Sequence, residues 1–339
     1  MSFFKYYYTV LILVPVLVLR VFLFCDCNFK DCQVSRTARE EDQDVFTGIR
    51  RKISDKVHKK LPSPHGEILL GMTTGINEFA DLHKFYDVLC NVGTVHVVVV
   101  SGFNITLVFS FVGKVLGSLY RLKNLLIGQV VVFMYALFSG FDPPVVRALF
   151  MGSIVHWGRY YGRDLGALRI LLFSAQVMML IDPKFLFSLS FQLSFLSTLS
   201  LMLFSGAFGD ISMKLFGEKI DDLISTLAAV VLVWPLVSMK FGRVSLVSPL
   251  VNLLVLWTVP VATVLGTALI ILEMLLDLPS VFWYPAYFLI DIFVRVCRYF
   301  ESIPLASLGF ELKPPHMMVY YSVVMIYPLW KGVRSCRHS

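Results

Sequence analysis

Four polar residues interrupt an apolar segment, His96 to Val112, that is long enough to approach a membrane crossing. They are His96, Ser101, Asn104 and Thr106, and Ser101 forms a Ser-Gly pair with Gly102 after four consecutive valines. An unpaired polar group is costly in hydrocarbon, so such residues face protein or a water-filled cavity. Because discontinuous helices with polar residues inside the membrane are typical of transport sites, the segment predicts a substrate path lined by His96, Ser101, Gly102 and Asn104. The alternative is a lipid-facing helix with small residues at a helix contact.

A second polar group lies in FSGFDPPVVRALFMG, residues 138–152. Asp142 precedes two prolines, a pattern typical of a helix N-cap followed by positions that need no amide hydrogen. Arg147 then lies one turn inside an apolar helix. Two interpretations stay open: Arg147 pairs with Asp142 or extends to the membrane interface, or Arg147 and the helix N-terminus bind a phosphate-bearing substrate.

A third group lies in IDPKFLFSLSFQLSFLSTLSLMLF, residues 181–204, where Asp182-Pro183 again predicts an N-cap and a first helical residue. Serines recur on one helical face, which indicates close helix packing rather than a pore; they are Ser190, Ser194, Ser197 and Ser200. Gln192 is bulkier than these serines, and we assign it to the cavity.

The fourth group, in residues 234–256, contains Lys240 and Arg243 ahead of Pro249 and Asn252. A basic pair at a membrane mouth would attract an anionic polymer, or it would anchor the chain at the interface. We add Asn252 to the predicted substrate path.

The sequence carries no pattern for hydrolytic chemistry. Its seven histidines show neither HxHxD nor HExxH spacing, and it contains no GxxxxGK[ST] loop. We therefore expect no enzymatic activity, no metal and no cofactor, with any motor supplied by a partner.

The elements that position these residues are membrane helices. The 339 residues are 57% hydrophobic and only 16% charged, whereas a soluble domain has about 25% charged residues. Apolar segments predict an all-α, polytopic helix bundle with about ten transmembrane segments and broken helices around a polar cavity. The segments are 6–24, 95–112, 124–140, 145–158, 168–181, 186–206, 223–239, 245–272, 280–298 and 315–331. Prolines in 245–272 predict a kink or a break there.

The domain prediction follows from composition and from the basic residues beside the loops. Residues 1–24 form an uncleaved N-terminal transmembrane anchor, and 25–64 a short polar extracytoplasmic segment, which is either a tether or a small ordered tail on the membrane surface. Residues 78–90 have the spacing of an amphipathic helix along the membrane. Residues 332–339 form a cytoplasmic tail, so that both termini are inside.

These stretches, in this order, resemble the ComEC-type competence proteins, the inner-membrane channels for DNA uptake. The likeness rests on HVVVVSGFNITLV, SGFDPPVVRALFMG, DPKFLFSLSFQLSFLSTLSL and KFGRVSLVSPLVNLLVL, and it extends over roughly residues 61–331. Many members carry a second histidine where this chain has Asn104. Full-length members also carry an oligonucleotide-binding domain and a metallo-β-lactamase-like hydrolase domain, which this chain is expected to lack.

The resemblance implies that residues 65–331 form a channel domain in the bacterial inner membrane, through which single-stranded DNA enters the cytoplasm. It also implies DNA and the lipid bilayer as partners, with a DNA receptor outside, a helicase or ATPase inside and a separate nuclease. The rival interpretation is a secondary transporter or permease for a small anionic solute. A third is an assembly protein that kept the fold and lost transport.

Overall fold

The computed structural model describes residues 47–76, 82–117, 121–216, 221–304, 306–310 and 312–327. The predicted anchor at 1–24, the first part of the polar segment and the predicted tail at 332–339 lie outside these residues. The described part is nearly all helical, which confirms the predicted all-α class.

The helices follow one another along the chain with short connections. They are α1 (Thr47–Lys60), α2 (His65–Thr74), α3 (His83–Val92), α4 (Gly102–Leu116), α5 (Leu122–Phe138), α6 (Pro143–Tyr160), α7 (Ala167–Ile181), α8 (Leu189–Phe216), α9 (Asp221–Phe241), α10 (Ser248–Val255), α11 (Thr258–Leu276), α12 (Tyr284–Glu301) and α13 (Pro314–Val324). Two short strands, β1 (Arg243–Ser245) and β2 (Ser307–Gly309), pair antiparallel with Val244 opposite Leu308. Three-residue strands are too short for an alternating pattern to be visible in sequence.

Within the described residues, five helical segments are long and apolar enough to cross a membrane. They are Val95–Leu116, Leu189–Lys214, Ile224–Phe241, Thr258–Leu276 and Ser280–Glu301. Two more apolar helices, α5 and α7, are shorter. The protein is therefore a membrane protein, while the predicted count of about ten crossings is not reproduced by these segments.

The chain forms two compact units, and the boundaries between them fall inside α1, α4 and α8. The first unit comprises Met1–Ile49 and Ile105–Phe195. In it α6 packs against α5 and α7, around a core of Val146, Met178 and Phe191.

The second unit comprises Arg50–Asn104 and Leu196–Ser339, and α2 is its most buried helix. All ten residues of α2 are buried, and the helix packs against α11 and α12. Gly266 of α11 makes this contact close, because a Cβ there would lie 2.4 Å from Leu69 Cδ1 and 3.1 Å from Thr73 Cγ2.

The polar segment is ordered where the structure describes it, which favours the second of the two predicted states. Residues 47–60 form α1, and Ile53, Val57 and Leu61 are buried. Lys56 contacts Asp277, and Lys60 lies 3.7 Å from Glu273, so the charges of α1 pair with α11 and the turn that follows it. The amphipathic pattern of α1 is hard to recognise in the sequence, because its apolar face is narrow and most of its residues are charged or polar.

Two other segments refine the sequence predictions. The amphipathic helix predicted at 78–90 is α3, which begins at His83 and packs against α12 through Phe85 and Leu89, while Tyr86 is exposed. The prolines of 245–272 break that run as expected, into β1, α10 and α11.

Candidate functional site

The membrane-length segment that begins at Val95 is broken inside, as the sequence predicts. Val95–Val97 form a 3-10 turn, residues 98–101 are not helical, and α4 begins at Gly102. The amide of Asn104 donates to the carbonyl of Ser101 at 3.1 Å, so Ser101 is the residue that precedes the first residue of α4, the N-cap position. Gly102 and Ser101 are half-buried. Backbone groups that lack helical partners are thus grouped next to the polar side chains.

Asn104 faces protein and not lipid. Its side chain is 3% exposed, and its Nδ2 donates to the main-chain carbonyl of Met72 at 2.8 Å. Met72 lies in the last turn of α2, where carbonyls have no partner inside the helix. The end of α2 and the broken segment, which lie 32 residues apart in the sequence, therefore meet at this hydrogen bond.

His96 contacts the connection that precedes it. The residue is exposed, and its imidazole hydrogen-bonds to the main chain of Gly93.

Asn252 reaches the same glycine from α10. Its Nδ2 donates to Ser248 Oγ at 3.4 Å, and Ser248 Oγ donates to the Gly93 carbonyl at 3.4 Å. Gly93 has φ +75°, and a Cβ there would lie 2.7 Å from Ser248 Oγ. Only glycine suits this position. The structure thus brings His96 and Asn252 together around Gly93.

Arg147 contacts α8 in the first unit. Its guanidinium donates from Nη1 to the main-chain carbonyl of Ser194 and lies 5.9 Å from the centroid of the Phe195 ring. The second and third motifs of the sequence meet through these contacts. The Ser194 carbonyl was not among the partners predicted for Arg147, and the pairing with Asp142 and the binding of phosphate stay predictions.

Asp142 occupies the predicted N-cap position of α6, with Pro143 and Pro144 as the first helical residues. The amide of Val145 donates to the Asp142 main-chain carbonyl at 2.9 Å, not to the carboxylate that the prediction assumed. The reason is local: prolines occupy the first two helical positions, and the next amide already has a backbone acceptor.

Gln192 and the serine face have structural partners. Gln192 Nε2 donates to the carbonyl of Leu186 at 2.9 Å and joins α8 to the turn Pro183–Phe187. Ser200 Oγ donates to the Ala228 carbonyl at 2.5 Å and accepts from the Leu232 amide at 3.1 Å. The packing role predicted for the serines is therefore observed at Ser200.

The predicted path residues divide between the two units. His96, Ser101, Gly102, Asn104 and Asn252 belong to the second unit, and Asp142, Arg147 and Gln192 to the first. Hydrogen bonds connect His96 with Asn252, and Asn104 with α2. A single cavity lined by both sets stays a prediction.

The sequence analysis missed a set of buried ionisable residues in the second unit. His65 and Glu67 of α2 are 7% and 8% exposed, and His65 lies 3.3 Å from Asp291 of α12. Asp291 stands near the middle of the membrane-length segment Ser280–Glu301. Ionisable residues inside membrane spans are rare and usually functional, and this holds for Asp291 as it does for His96.

In the described part of the chain, no cluster of three or more His, Cys, Asp or Glu residues could hold a metal ion.

Comparison with known proteins places these motifs in one family. Residues 72–334 match the family described as Competence protein. The chain therefore belongs to the Competence protein family. Membership supports a role in competence, and the match includes the broken segment, Arg147, Gln192 and Asn252.

Two curated relatives are similar to parts of the chain. An uncharacterized protein of Aquifex aeolicus (strain VF5) is 34% identical over 121 residues, which are 34% of this chain and 28% of the relative. ComE operon protein 3 of Bacillus subtilis (strain 168) is 27% identical over 214 residues, which are 61% of this chain and 26% of the relative. The chain thus matches only about a quarter of the length of either relative. No solved structure matches it significantly.

Proposed function

We propose that the protein is a multi-pass channel of the bacterial inner membrane through which single-stranded DNA enters the cytoplasm. The observation that carries the proposal is the broken membrane-length segment Val95–Leu116, in a chain that belongs to the Competence protein family. The name of the Bacillus relative, ComE operon protein 3, is in keeping with this role.

The phosphates of DNA cannot cross hydrocarbon, so the strand needs a path lined by polar and basic groups. The side chain of His96, the amide of Asn252 and the non-helical backbone of residues 98–101 would line part of that path. Arg243, whose Nη1 donates to Asn91 Oδ1 at 2.8 Å, lies in the connection between α9 and α10 and would attract the strand. Arg147 would bind phosphate in the first unit.

We infer a transport role rather than an enzymatic one, with the driving force supplied by partners. A DNA receptor outside, a helicase or ATPase inside and a separate nuclease would complete the system. The compact alternative, a permease for a small anionic solute, would use Arg147 at a closed site.

DNA uptake by cells tests the proposal directly. Cells that lack the gene should lose uptake of labelled DNA into the cytoplasm, and a plasmid copy should restore it. A Gly93→Val copy is the sharp variant, because a side chain there collides with Ser248 and disturbs the contacts of His96 and Asn252. Gly309→Ala is the matched control, since a Cβ there meets open space. Normal DNA uptake without the gene would exclude the channel, and a defect limited to a small anion would favour the permease.

A further inference from the structure

The C-terminal end of α6 reads WGRYYGR, residues 157–163, and carries a cluster of aromatic rings that the proposed substrate path does not use. Trp157 and Tyr161 are four residues apart and therefore lie on the same side of the helix. Their rings form an offset stack, with planes 24° apart and centroids separated by 6.1 Å. Tyr160 meets both rings edge-on, at 6.0 Å from Trp157 and 5.1 Å from Tyr161. The three rings are thus in mutual contact, within the first unit.

The backbone at the end of α6 fixes the position of this cluster. The amide of Gly162 donates to the Arg159 carbonyl at 3.0 Å, and the amide of Arg163 donates to the Gly158 carbonyl at 2.8 Å. This pair of hydrogen bonds is the Schellman motif, and Gly162 has the left-handed backbone that the motif requires, with φ +64°. Tyr161 is the C-cap residue. The helix therefore ends in one defined conformation, which holds Tyr161 between two arginines in the chain.

The outer side of the aromatic stack is open. Tyr161 is 68% exposed, whereas Trp157, on which it stacks, is half-buried. One face of the Tyr161 ring is therefore covered by the indole, and the other is available to a further planar group. Because the neighbouring rings already hold Tyr161 in place, a ligand that stacks on it loses little affinity to the ordering of this side chain.

Positive charge surrounds the open ring. Arg159 and Arg163 are exposed, and neither forms a salt bridge among the residues that the structure describes. Arg169, near the start of α7, adds a third positive charge to this connection, against the single carboxylate of Asp164. A guanidinium group binds phosphate through two parallel hydrogen bonds. The connection between α6 and α7 thus combines an open aromatic face with a net positive charge.

This combination fits single-stranded DNA better than a lipid surface. The bases of a single strand are planar and stack on aromatic side chains, and its phosphates are attracted by basic residues. An anionic lipid headgroup would satisfy the arginines but has no planar group for the open face of Tyr161. Aromatic residues that anchor a helix in the membrane interface also need no contact with one another. The stacked rings therefore favour a nucleic acid base as the occupant.

We propose that Trp157, Tyr160 and Tyr161, together with Arg159 and Arg163, form a binding site for single-stranded DNA. One base stacks on Tyr161, and the arginines bind the adjacent phosphates. The part that this site plays in DNA uptake rests on the proposed function, whereas the binding of a strand does not. Short loops rich in basic residues belong to the cytoplasmic side of a membrane protein, so the site receives the strand as it leaves the membrane.

The same helix carries two residues of the predicted substrate path. Asp142 is the N-cap of α6, and Arg147 lies in its second turn. Arg159 follows Arg147 by twelve residues, which is about 18 Å along the helix axis. A strand that contacts Arg147 inside the membrane would therefore reach the aromatic cluster by following α6.

Binding of a fluorescein-labelled single-stranded oligonucleotide to the full chain, in nanodiscs of phosphatidylcholine, tests the site. Tyr161→Leu keeps an apolar side chain and removes the ring, so it should raise the Kd at least about five-fold, the smallest effect expected from one base–aromatic stack. Tyr161→Phe keeps the ring and should bind like wild type. Tyr284→Leu, at a position that is 67% exposed in the second unit, is the matched control and should leave the Kd unchanged. Equal Kd values of Tyr161→Leu and wild type would overturn the site.

Two further measurements separate the base from the phosphate. A strand of the same length without bases should bind wild type and Tyr161→Leu equally. Arg163→Gln should reduce the slope of log K against log salt by about 0.7, the value for one phosphate contact with a single strand. Arg121→Gln, which removes an exposed arginine elsewhere in the first unit, should keep the slope. An equal loss of affinity for the strand without bases in Tyr161→Leu would show that no base stacks on this ring.

Thermal unfolding with added phosphatidylglycerol distinguishes a lipid site from a DNA site. If this lipid stabilises wild type more than Tyr161→Leu and Arg163→Gln, and both variants bind DNA normally, the cluster is a lipid anchor and the proposal is wrong. If wild type binds no DNA, the site is excluded, and the uptake experiment decides the proposed function separately. Loss of DNA uptake without the gene, together with equal DNA binding by all variants, would retain the channel and reject this site.

Discussion

Asn104 holds the carbonyl of Met72 through its side-chain amide, at 2.8 Å, and so joins the start of α4 to the end of α2. The bond satisfies a terminal carbonyl of a helix that is buried along its whole length. The bond also explains why position 104 has an amide side chain, because a carbonyl oxygen accepts hydrogen bonds and therefore needs a donor.

Asn104→Asp should therefore destabilise the protein more than most polar substitutions on α4. The carboxylate cannot donate when ionised, and Met72 would keep an unsatisfied carbonyl, at a cost of about 1–3 kcal/mol. Thermal unfolding in detergent at neutral pH measures the effect. Ser110→Ala, at an exposed position of the same helix, is the control and should unfold like wild type. Equal stability of Asn104→Asp and wild type would show that the Met72 carbonyl needs no donor.

The sequence predicted the positions of the helices well and their partners poorly. The Ser-Gly pair located the break at Ser101-Gly102, and the prolines located the break near Pro249, since both breaks depend on local backbone preferences. The buried state of α2 was not predictable, because HGEILLGMTT carries ionisable and small residues and is buried only through contacts with α11 and α12. The role of Arg147 in the substrate path stays a prediction, and its carbonyl partner, Ser194, lies 47 residues away and left no local signal.

Gly266→Ala should destabilise the second unit, because the added methyl would overlap Leu69 of the fully buried α2. Overpacking of this kind costs about 1–3 kcal/mol. Gly266→Ala should cost less in a Leu69→Ala background than in the wild type, because the shortened side chain at position 69 removes the collision. Thermal unfolding of the four proteins gives the coupling energy. Additive effects would mean that Gly266 and Leu69 do not share this space.

Tyr320→Phe should weaken the contact between α13 and α9 in a way that depends on Pro235. Proline lacks the amide that would bind the Val231 carbonyl within α9, and Tyr320 donates its hydroxyl to that carbonyl at 3.0 Å. Loss of the hydroxyl should cost about 1 kcal/mol. In a Pro235→Ala background the alanine amide can bind Val231, so the same change should cost less. Tyr284→Phe, at an exposed position, is the control for both backgrounds.

Acid should remove the contribution of the Lys56–Asp277 pair to stability. The hydrogen bond from Lys56, with its positive charge, holds the pKa of Asp277 below the usual value of an aspartate. A lowered folded-state pKa contributes stability above the unfolded-state pKa, and that contribution disappears as pH falls through the folded-state pKa. Asp277→Asn should thus unfold slightly below wild type at neutral pH and equally in acid. Asparagine also tolerates the left-handed backbone at this position, φ 44°. High salt should shrink the neutral-pH difference, because Asp277 is exposed.

Variants of Arg147 distinguish a structural role of this residue from a role in DNA passage when protein abundance and DNA uptake are both measured. Its guanidinium binds the Ser194 carbonyl and lies over Phe195, so Arg147→Ala should remove a contact between α6 and α8 and lower protein abundance in the membrane. Arg147→Lys keeps a donor for the carbonyl but loses the planar fork that binds phosphate with two parallel hydrogen bonds. We therefore expect near-normal abundance for Arg147→Lys.

DNA uptake by the lysine variant then decides between the two roles. If Arg147 binds phosphate, uptake per molecule of Arg147→Lys should fall several-fold, because a point charge replaces the bidentate contact. If Arg147 only joins α6 to α8, uptake per molecule should equal that of wild type. Asp142→Asn is the companion variant. It preserves the hydrogen bond from the Val145 amide, which the Asp142 main-chain carbonyl and not its carboxylate receives. If Asp142→Asn instead restores the abundance lost in Arg147→Ala, the two side chains form a pair whose stranded carboxylate was the cause of the loss.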